Sequence, residues 1–218
     1  MAGSTPAHGE VRTISVLGAG RVGTAIARQA LKAGYEVLIA SSRPPAEIEM
    51  IVDVVVPGAR AVSAEAAARE GDIVILAIPL PKYRTLRPEW LAGKIVVDAM
   101  NYWPPTDGVL TEIQSEPLSS AVIQRHLAGA RLVRTLNHIG YHEMEEDGRP
   151  AGDPERRALA VASDDADARR VVAGVIDRLG YDPVDAGPLA AASQFEPGTA
   201  IFEGRFGRDE MERQLALR

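Results

Sequence analysis

A loop near the N-terminus has the spacing G-x-G-x-x-G, in the residues Gly18-Ala19-Gly20-Arg21-Val22-Gly23. In this pattern the first glycine permits a tight turn, the second lets phosphates approach the backbone, and the third allows a helix to pack closely on a strand. The apolar run at residues 11–17 comes directly before the loop, and apolar residues at helical spacing come after it. The N-terminus of such a helix presents free N–H groups and a partial positive charge. We therefore predict that the loop binds the pyrophosphate of a dinucleotide.

The end of the predicted second strand indicates which dinucleotide this is. An NAD site usually has Asp or Glu there, about 20 residues after the loop, to accept hydrogen bonds from the ribose 2′-hydroxyl. This chain instead has Ser41-Ser42-Arg43. Hydroxyls can donate to a 2′-phosphate and a guanidinium can pair with it, whereas a carboxylate would repel it. The alternative is a polar turn whose Arg43 faces water. We predict NADP(H) as the cofactor, with some use of NAD(H) left open.

His138 comes after another predicted strand end, where ligands of such sheets bind. It could hydrogen-bond an acceptor or supply a proton near neutral pH, or it could simply satisfy loop carbonyls. Asn101 could bind the nicotinamide ribose or cap its turn, and Arg21 could lie over the pyrophosphate or point to solvent. For these two residues we favour the ligand contact.

His142 lies four residues after His138 and glutamates come next, but the segment has the composition of a loop, so we predict no metal site.

The usual catalytic groups are missing from the sequence. There is no cysteine, no GxSxG elbow, no HExxH motif, no Walker loop and no Tyr-x-x-x-Lys pair that could protonate a carbonyl. Hydride transfer between two planar heterocycles requires little more than stacking, orientation and exclusion of water. A site that is poor in acid–base residues therefore favours a flavin-like partner for the nicotinamide over a keto acid.

Short apolar strands alternate with helix-length segments along the chain. Strands are predicted at residues 11–17, 36–40, 59–62, 72–78, 94–98, 131–135, 158–162 and 182–185. The run at 72–78 is almost wholly apolar, which is typical of a parallel strand covered on both faces. The alternation predicts an α/β fold, a doubly wound and mainly parallel sheet of Rossmann type with a short C-terminal extension. Ligands of such sheets bind at the carboxyl ends of the strands.

The chain divides into three predicted parts. Residues 1–10 form a polar tail that is expected to be disordered, residues 11–190 form the NADP-binding domain, and residues 191–218 form a C-terminal extension with one helix at its end. Two connections, residues 102–118 and residues 137–155, are predicted to be loops.

Composition and charge exclude several classes of partner. The 218 residues are 46% apolar and 25% charged, with a net charge of −6 and basic residues interleaved with acidic ones. The pairs Arg156-Arg157 and Arg169-Arg170 are interpreted as solvated helix faces or strand ends, so no nucleic-acid partner is predicted. No apolar run approaches the roughly 18 residues of a membrane span, and the N-terminus lacks a secretory signal. We expect no membrane partner and a cytoplasmic location.

Several motifs, taken in order, resemble the coenzyme F420-dependent NADP reductase family and the NADP-binding Rossmann oxidoreductases related to it. They are the glycine loop, Ser42-Arg43, Ala77-Ile78-Pro79, residues 98–105, Leu136-Asn137-His138-Ile139 and residues 185–189. The resemblance implies a Rossmann domain with a small C-terminal portion. It implies that Ser42 and Arg43 hold the adenosine 2′-phosphate and that residues 77–79 lie along the cofactor. It also implies that residues 137–139, with Asn137 and Ile139 as binding residues, border the nicotinamide and the acceptor ring.

The leading hypothesis is an NADP(H)-dependent oxidoreductase that passes hydride to or from F420, a flavin or another small-molecule redox acceptor. The alternative is a non-catalytic NADPH-binding module that senses redox state, because little chain after residue 190 remains to build a substrate pocket. A homodimer could complete each pocket from the neighbouring subunit, and we expect one. A third hypothesis is a dehydrogenase of small imines or alcohols, which would need a proton donor such as His138.

Overall fold

The computed structural model describes residues 11–216, so the disorder predicted for residues 1–10 lies outside the described residues. Eight strands occur in this range: β1 (Thr13–Leu17), β2 (Glu36–Ala40), β3 (Arg60–Ala61), β4 (Ile73–Leu76), β5 (Ile95–Asp98), β6 (Arg131–Arg134), β7 (Ala158–Ala162) and β8 (Asp182–Gly187). They form one sheet in the order β3-β2-β1-β4-β5-β6-β7-β8. All eight fall where the sequence pattern predicts strands.

The sheet is mainly parallel. From β3 to β6 in the sheet order, every two strands that lie side by side are parallel. β7 joins β6 through one antiparallel pair, Arg134 with Ala162, and β8 then pairs with β7 in parallel. The chain moves outward from β1 to β3 on one side and then returns to build β4 to β8 on the other side. The predicted fold class, a doubly wound Rossmann-like α/β sheet, is confirmed.

The strand register aligns the carboxyl ends of the parallel strands at one edge of the sheet. Leu17 pairs with Ala40 on one side and with Leu76 on the other. Leu76 pairs in turn with Asp98, and Asp98 pairs with Arg134. The segments after these five residues therefore start in one row, where open α/β sheets bind their ligands.

Helices connect the strands and cover the sheet. They are α1 (Arg21–Lys32), α2 (Pro45–Val55), α3 (Ala64–Glu70), α4 (Pro88–Leu91), α5 (Pro104–Asp107), α6 (Thr111–Gln114), α7 (Ser119–His126), α8 (Met144–Asp147), α9 (Ala166–Arg178), α10 (Ala200–Glu203) and α11 (Arg208–Ala216), with 3₁₀ segments at Leu80–Thr85 and Leu189–Phe195. Ser63 caps α3 and Asp165 caps α9, each accepting a backbone N–H of the first turn. Within residues 11–216, no helix combines the length and the apolar character needed to cross a bilayer.

Two apolar layers pack against the two faces of the sheet. Because side chains alternate along a strand, Ile73 and Ile75 of β4 enter one layer and Val74 and Leu76 the other. All four are buried, which explains the uninterrupted apolar run in the sequence. The C-terminal segment adds to the layer that contains Leu76, with the buried side chains Phe195, Ile201, Met211 and Leu215. Residues 191–216 therefore pack on the sheet.

Short helices occupy segments where the sequence pattern predicts loops. α5 and α6 lie within residues 102–118, and α8 lies within residues 137–155. The C-terminal segment has two helices, α10 and α11, where one is predicted. The helices α5, α6, α8 and α10 have four residues each. A helix of about one turn buries too few side chains to leave a periodic apolar pattern.

Arg156 and Arg157, interpreted from the sequence as a solvated pair, are buried. The interpretation is wrong because each guanidinium has carboxylate partners that come from elsewhere in the chain. Arg156 Nη1 lies 2.8 Å from Asp177 Oδ1. Arg157 Nη1 lies 2.9 Å from Glu143 Oε2, and Arg157 Nη2 donates to the carbonyl of His138 at 3.0 Å. Arg157 therefore fixes the connection between β6 and β7 against β7.

Candidate functional site

Glycine suits each of the three positions in the loop for a different structural reason. Gly18 has φ +127°, and a Cβ added there would lie 2.2 Å from the carbonyl oxygen of Ala77. A Cβ added to Gly23 would lie 1.8 Å from the carbonyl oxygen of Gly18, so only glycine lets α1 pack on the turn. Gly20 has an ordinary φ of −86°, and its added Cβ would meet no atom within 4 Å. Glycine at position 20 therefore keeps open the space in front of α1, where the sequence predicts a pyrophosphate.

The N-terminus of α1 has the features of an anion site. Gly20 is its N-cap, no side chain caps the helix, and the first turn contains no acidic residue. The N–H of Thr24 donates to the Gly20 carbonyl at 2.9 Å, which leaves the N–H groups of residues 21–23 without helical partners. Free N–H groups and the helix dipole together favour phosphate. The loop therefore fits the pyrophosphate of a dinucleotide.

A cavity of about 610 Å³ opens in front of the loop. The predicted cofactor-binding residues that line it are Gly18, Ala19, Gly20, Ser41, Ser42, Arg43, Ala77, Ile78 and Pro79. The register explains why they meet: Ala40 and Leu76 both pair with Leu17, and each of these three residues directly precedes one of the three segments. Sites for small molecules typically enclose about 300–1,000 Å³, so the cavity has the size of a nucleotide site.

The other three residues of the glycine loop do not line the cavity. Gly23 packs beneath the turn, and Val22 packs against the apolar layer on that face of the sheet. Arg21 Nη1 donates to the Tyr141 hydroxyl at 3.2 Å, and its guanidinium lies 5.7 Å from the centre of the Tyr141 ring. The predicted contact of Arg21 with the pyrophosphate stays a prediction.

The opposite wall of the cavity contains polar and aromatic residues that the sequence pattern does not single out, Lys82, Thr85, Arg87 and Trp90. They lie on the 3₁₀ segment Leu80–Thr85 and at α4. Two prolines lie just beyond the end of β4 and interrupt any periodicity in the segment between β4 and α4. Their position soon after a predicted strand end is a sequence signal that could have indicated them, because ligand-binding segments begin at such ends.

Asn101, Asn137 and Ile139, predicted beside the nicotinamide, do not line this cavity. They lie farther along the same edge of the sheet, after β5 and β6. Asn101 Nδ2 donates to the Asn137 carbonyl at 2.7 Å, and Asn137 Nδ2 donates to the Phe195 carbonyl at 2.8 Å. Ile139 is buried, and Leu136 has a left-handed φ of +63°, which costs about 1–3 kcal/mol. The structure thus brings the two asparagines together in a constrained, hydrogen-bonded group.

A buried ion network supports the two asparagines. Arg134, the last residue of β6, is fully buried, with Nη1 at 3.2 Å from Asp98 Oδ2 and Nη2 paired with Glu196. Arg134 Nη2 also donates to Asn101 Oδ1 at 3.2 Å. Ser120 donates to the same Asp98 oxygen at 2.6 Å. One guanidinium therefore joins β5, β6 and the C-terminal segment, and it orients the side chain of Asn101.

His138, the predicted proton donor, has both ring nitrogens engaged. Nε2 accepts from the N–H of Ala160 at 3.0 Å, and Nδ1 donates to Asn137 Oδ1 at 3.1 Å, which corresponds to the neutral ring. The residue is 2% exposed and its ring lies 5.0 Å from that of Phe195. Burial, and then the charges of two nearby arginines, lowers the pKa of His138 to about 3. These contacts favour the structural alternative for His138, because the ring is enclosed and neutral near pH 7.

The low pKa of His138 makes stability depend on acidity. The folded pKa is about 3 against an ordinary 6.5, so below pH 6.5 the unfolded chain binds a proton that the folded protein does not. This contribution to stability is therefore full above pH 6.5 and decreases as the pH falls toward 3. We expect a loss of about 2 kcal/mol between about pH 7 and pH 5, measured by urea unfolding. His138→Gln should lack this part of the pH dependence, and an unchanged slope in that variant would contradict the assignment.

Trp103 lies two residues beyond Asn101 and is 46% exposed. Its ring is 5.7 Å from that of Phe202 in an edge-to-face arrangement, and its backbone N–H donates to Asp107 Oδ2 at 2.7 Å. The C-terminal segment thus supports, through Phe202, an exposed aromatic ring on the connection after β5.

The segment that contains His142 does not assemble a metal centre. Across residues 11–216, no group of three or more His, Asp or Glu side chains is arranged to hold a metal ion. Glu143, the acidic residue next to His142, accepts from the N–H of Gly140 at 3.0 Å and pairs with Arg157. Its carboxylate therefore holds the connection in place.

Comparison with known proteins connects this geometry to a family. Residues 13–102 match the family model described as NADP oxidoreductase, coenzyme F420-dependent. The matched residues include the glycine loop and every segment that lines the cavity. A solved structure described as a putative F420-dependent NADP reductase from Arthrobacter is 28% identical, with a TM-score of 0.71, over 83% of this chain and 86% of that chain.

Two further relatives match most of the chain. A hypothetical protein from Sinorhizobium meliloti is 28% identical, with a TM-score of 0.79, over 91% of this chain and 96% of that chain. The metalloreductase STEAP3 of Rattus norvegicus is 23% identical over 189 residues, which are 86% of this chain and 36% of that protein. This chain thus spans about a third of the length of that curated relative. The resemblance predicted from the motifs is confirmed: the chain is similar to NADP-binding Rossmann oxidoreductases related to the coenzyme F420-dependent NADP reductase family, through the family model over residues 13–102 and through solved structures that are 28% identical.

Proposed function

We propose that this chain is an NADP(H)-dependent oxidoreductase that transfers hydride between the nicotinamide and a small redox acceptor, F420 or a flavin. The cavity in front of Gly20 carries the proposal, because it joins an open position for the pyrophosphate to a wall that contains Ser42 and Arg43. A hydroxyl and a guanidinium suit a 2′-phosphate. The likeness of the chain to a putative F420-dependent NADP reductase supports the class of acceptor.

The residues of the chain bind and orient the reactants, while bound NADPH supplies the hydride. Asn101 and Asn137 come after the neighbouring strands β5 and β6, and their hydrogen bonds fix the part of the sheet edge that is proposed to border the nicotinamide. Trp103 adds an exposed aromatic surface on the same connection. Transfer between two rings needs orientation and exclusion of water but no acid–base residue. An enclosed and neutral His138 is compatible with this requirement.

We further propose that the protein acts as a homodimer in which a second copy helps to enclose the acceptor. The connection after β5 exposes Trp103 at 46% and Val109 at 76%, and aromatic residues such as Trp103 are enriched at interfaces between proteins. Sedimentation should show a dimer. A strict monomer that still reduces an acceptor would contradict this part of the proposal.

Anaerobic assays of hydride transfer test the proposed reaction. NADPH is offered with F420, FMN, FAD or a quinone, NADP is offered with reduced F420, and NADPH binding is measured in parallel by calorimetry. We expect turnover with a deazaflavin or flavin acceptor and none in the variant Gly20→Asp. Absence of NADPH binding by folded protein would overturn the whole proposal. Tight binding without turnover on any acceptor would overturn only the oxidoreductase part.

A non-catalytic NADPH-binding module that senses redox state is the second candidate. It is favoured by one observation, that the cavity does not extend to Asn101 and Asn137. Such a module would bind NADPH and NADP with different affinities and would turn over no acceptor, so the same assays separate the two functions. A dehydrogenase of small imines or alcohols has less support, because its proton donor would be the enclosed His138.

A further inference from the structure

The wall of the cavity opposite Ser42 and Arg43 contains a lysine that no sequence motif indicates. We propose that Lys82 is a second cation for the adenosine 2′-phosphate, and that it helps the site to distinguish NADP(H) from NAD(H). This inference rests on the proposed function, since it assumes that the cavity takes the adenosine half of NADP(H). It assigns part of the preference for NADP(H) to a residue that comes after β4, whereas Ser42 and Arg43 come after β2.

The strand register places Lys82 across the glycine loop from Arg43. Leu17 pairs with Ala40 on one side and with Leu76 on the other, so the segments after β2 and β4 leave the sheet on opposite sides of β1. Neighbouring strands are about 4.8 Å apart, so these two segments start about 10 Å from each other. Two long basic side chains, one from each segment, can approach the same phosphate from both sides of such a gap.

The charges along the cavity are all of one sign. Arg43, Lys82 and Arg87 line it, and no Asp or Glu does, although the chain as a whole has a net charge of −6. Cations gathered without carboxylates repel one another, so a cavity of this kind favours an anionic ligand. NADP carries one more phosphate than NAD, and the extra phosphate is the one at the adenosine ribose.

The side chains of Arg43 and Lys82 are also free to bind. Both residues are exposed, and neither side chain has a hydrogen bond or an ion pair with another residue in the range 11–216. Arg87 differs, because its Nη1 lies 3.8 Å from Glu89 Oε1. Other arginines of this part of the chain, such as Arg134 and Arg156, are held by carboxylates. Lys82 and Arg43 therefore need break no contact to reach a phosphate.

The remaining wall of the cavity suits an adenine ring. The side chains there are apolar or aromatic and belong to α3, α4 and the segment between β4 and α4, namely Ala64, Ala68, Leu86, Trp90 and Leu91. A purine packs well against such surfaces. With the adenine on this wall and the pyrophosphate at Gly20, the ribose lies between the two basic segments.

Ligand-binding measurements on Lys82→Gln test the inference. Calorimetry with NADPH, NADH, adenosine 2′,5′-bisphosphate and adenosine 5′-diphosphate separates the 2′-phosphate from the pyrophosphate. We expect the Kd for NADPH and for the bisphosphate to rise about tenfold, with the Kd for NADH and for the diphosphate changed by less than about twofold. Lys82→Arg should keep most of the preference for NADPH, because it keeps the charge.

A matched control is Lys32→Gln, which removes another exposed lysine from a position outside the cavity, at the end of α1. It should leave all four affinities unchanged. Equal losses for NADPH and NADH in Lys82→Gln would overturn the inference and assign Lys82 to the pyrophosphate. Unchanged affinities in Lys82→Gln, when the wild-type protein binds NADPH, would overturn the inference alone. Failure of the wild-type protein to bind NADPH would overturn the proposed function as well.

Discussion

Replacing Gly20 with aspartate should abolish binding of the dinucleotide and leave the fold intact. The backbone at Gly20, with φ −86°, accepts any residue, and an added Cβ meets nothing within 4 Å. The carboxylate would stand at the N-terminus of α1, in the space predicted for the pyrophosphate. Repulsion between like charges in such a position costs several kcal/mol, which corresponds to a loss of at least about a hundredfold in affinity.

The same variant should be as stable as the wild-type protein or slightly more stable. Gly20 is the N-cap of α1, and aspartate is a better N-cap than glycine by a few tenths of a kcal/mol. Calorimetry with NADPH and thermal unfolding of the free protein measure the two effects separately. The matched control is Gly23→Ala, whose Cβ would lie 1.8 Å from the Gly18 carbonyl oxygen and should destabilise the fold strongly. Normal NADPH binding by Gly20→Asp would show that the pyrophosphate lies elsewhere.

The first half of the site could be predicted from the sequence because its signals are local. The tight turn at Gly18, the open space at Gly20 and the close packing of α1 at Gly23 all lie within this one loop. The strand before it and the helix after it have clear apolar periodicity. The parallel sheet can be inferred from the alternation of strands and helices. Since parallel strands end at one edge, the strand pattern predicts Ser42 near the loop, and the family resemblance adds Ala77.

The second half of the site depends on contacts between distant residues, which periodicity does not report. Lys82 enters the cavity because β4 pairs with β1, although Lys82 itself comes after two helix-interrupting prolines. Asn101 meets Asn137 because β5 and β6 are neighbours. His138 is enclosed by Ala160 of β7 and by Phe195 of the C-terminal segment. A buried histidine cannot be distinguished from an exposed one by sequence pattern when the residues that cover it come later in the chain.

Replacing Arg134 with methionine should destabilise the protein by about 3–5 kcal/mol, the usual cost of removing one partner from a buried ion pair. Methionine fills a similar volume, but it leaves the carboxylates of Asp98 and Glu196 without their shared cation, and Asp98 is fully buried. Urea unfolding near neutral pH measures the loss. A matched control on the same strand is Arg131→Met, whose partner Asp165 is partly exposed, so the expected cost is about 1 kcal/mol or less.

The charge left behind, and not the lost volume, should cause most of the damage from Arg134→Met. If so, adding Asp98→Asn and Glu196→Gln to that variant removes the unpaired charges and should restore a large part of the stability. The restored protein would still lack the donor to Asn101 Oδ1, so hydride transfer should be impaired, whereas NADPH binding at the cavity, which Arg134 does not line, should be unchanged. A triple variant that is no more stable than Arg134→Met would contradict the electrostatic explanation, because then packing around the guanidinium would be what holds the C-terminal segment on the strand ends.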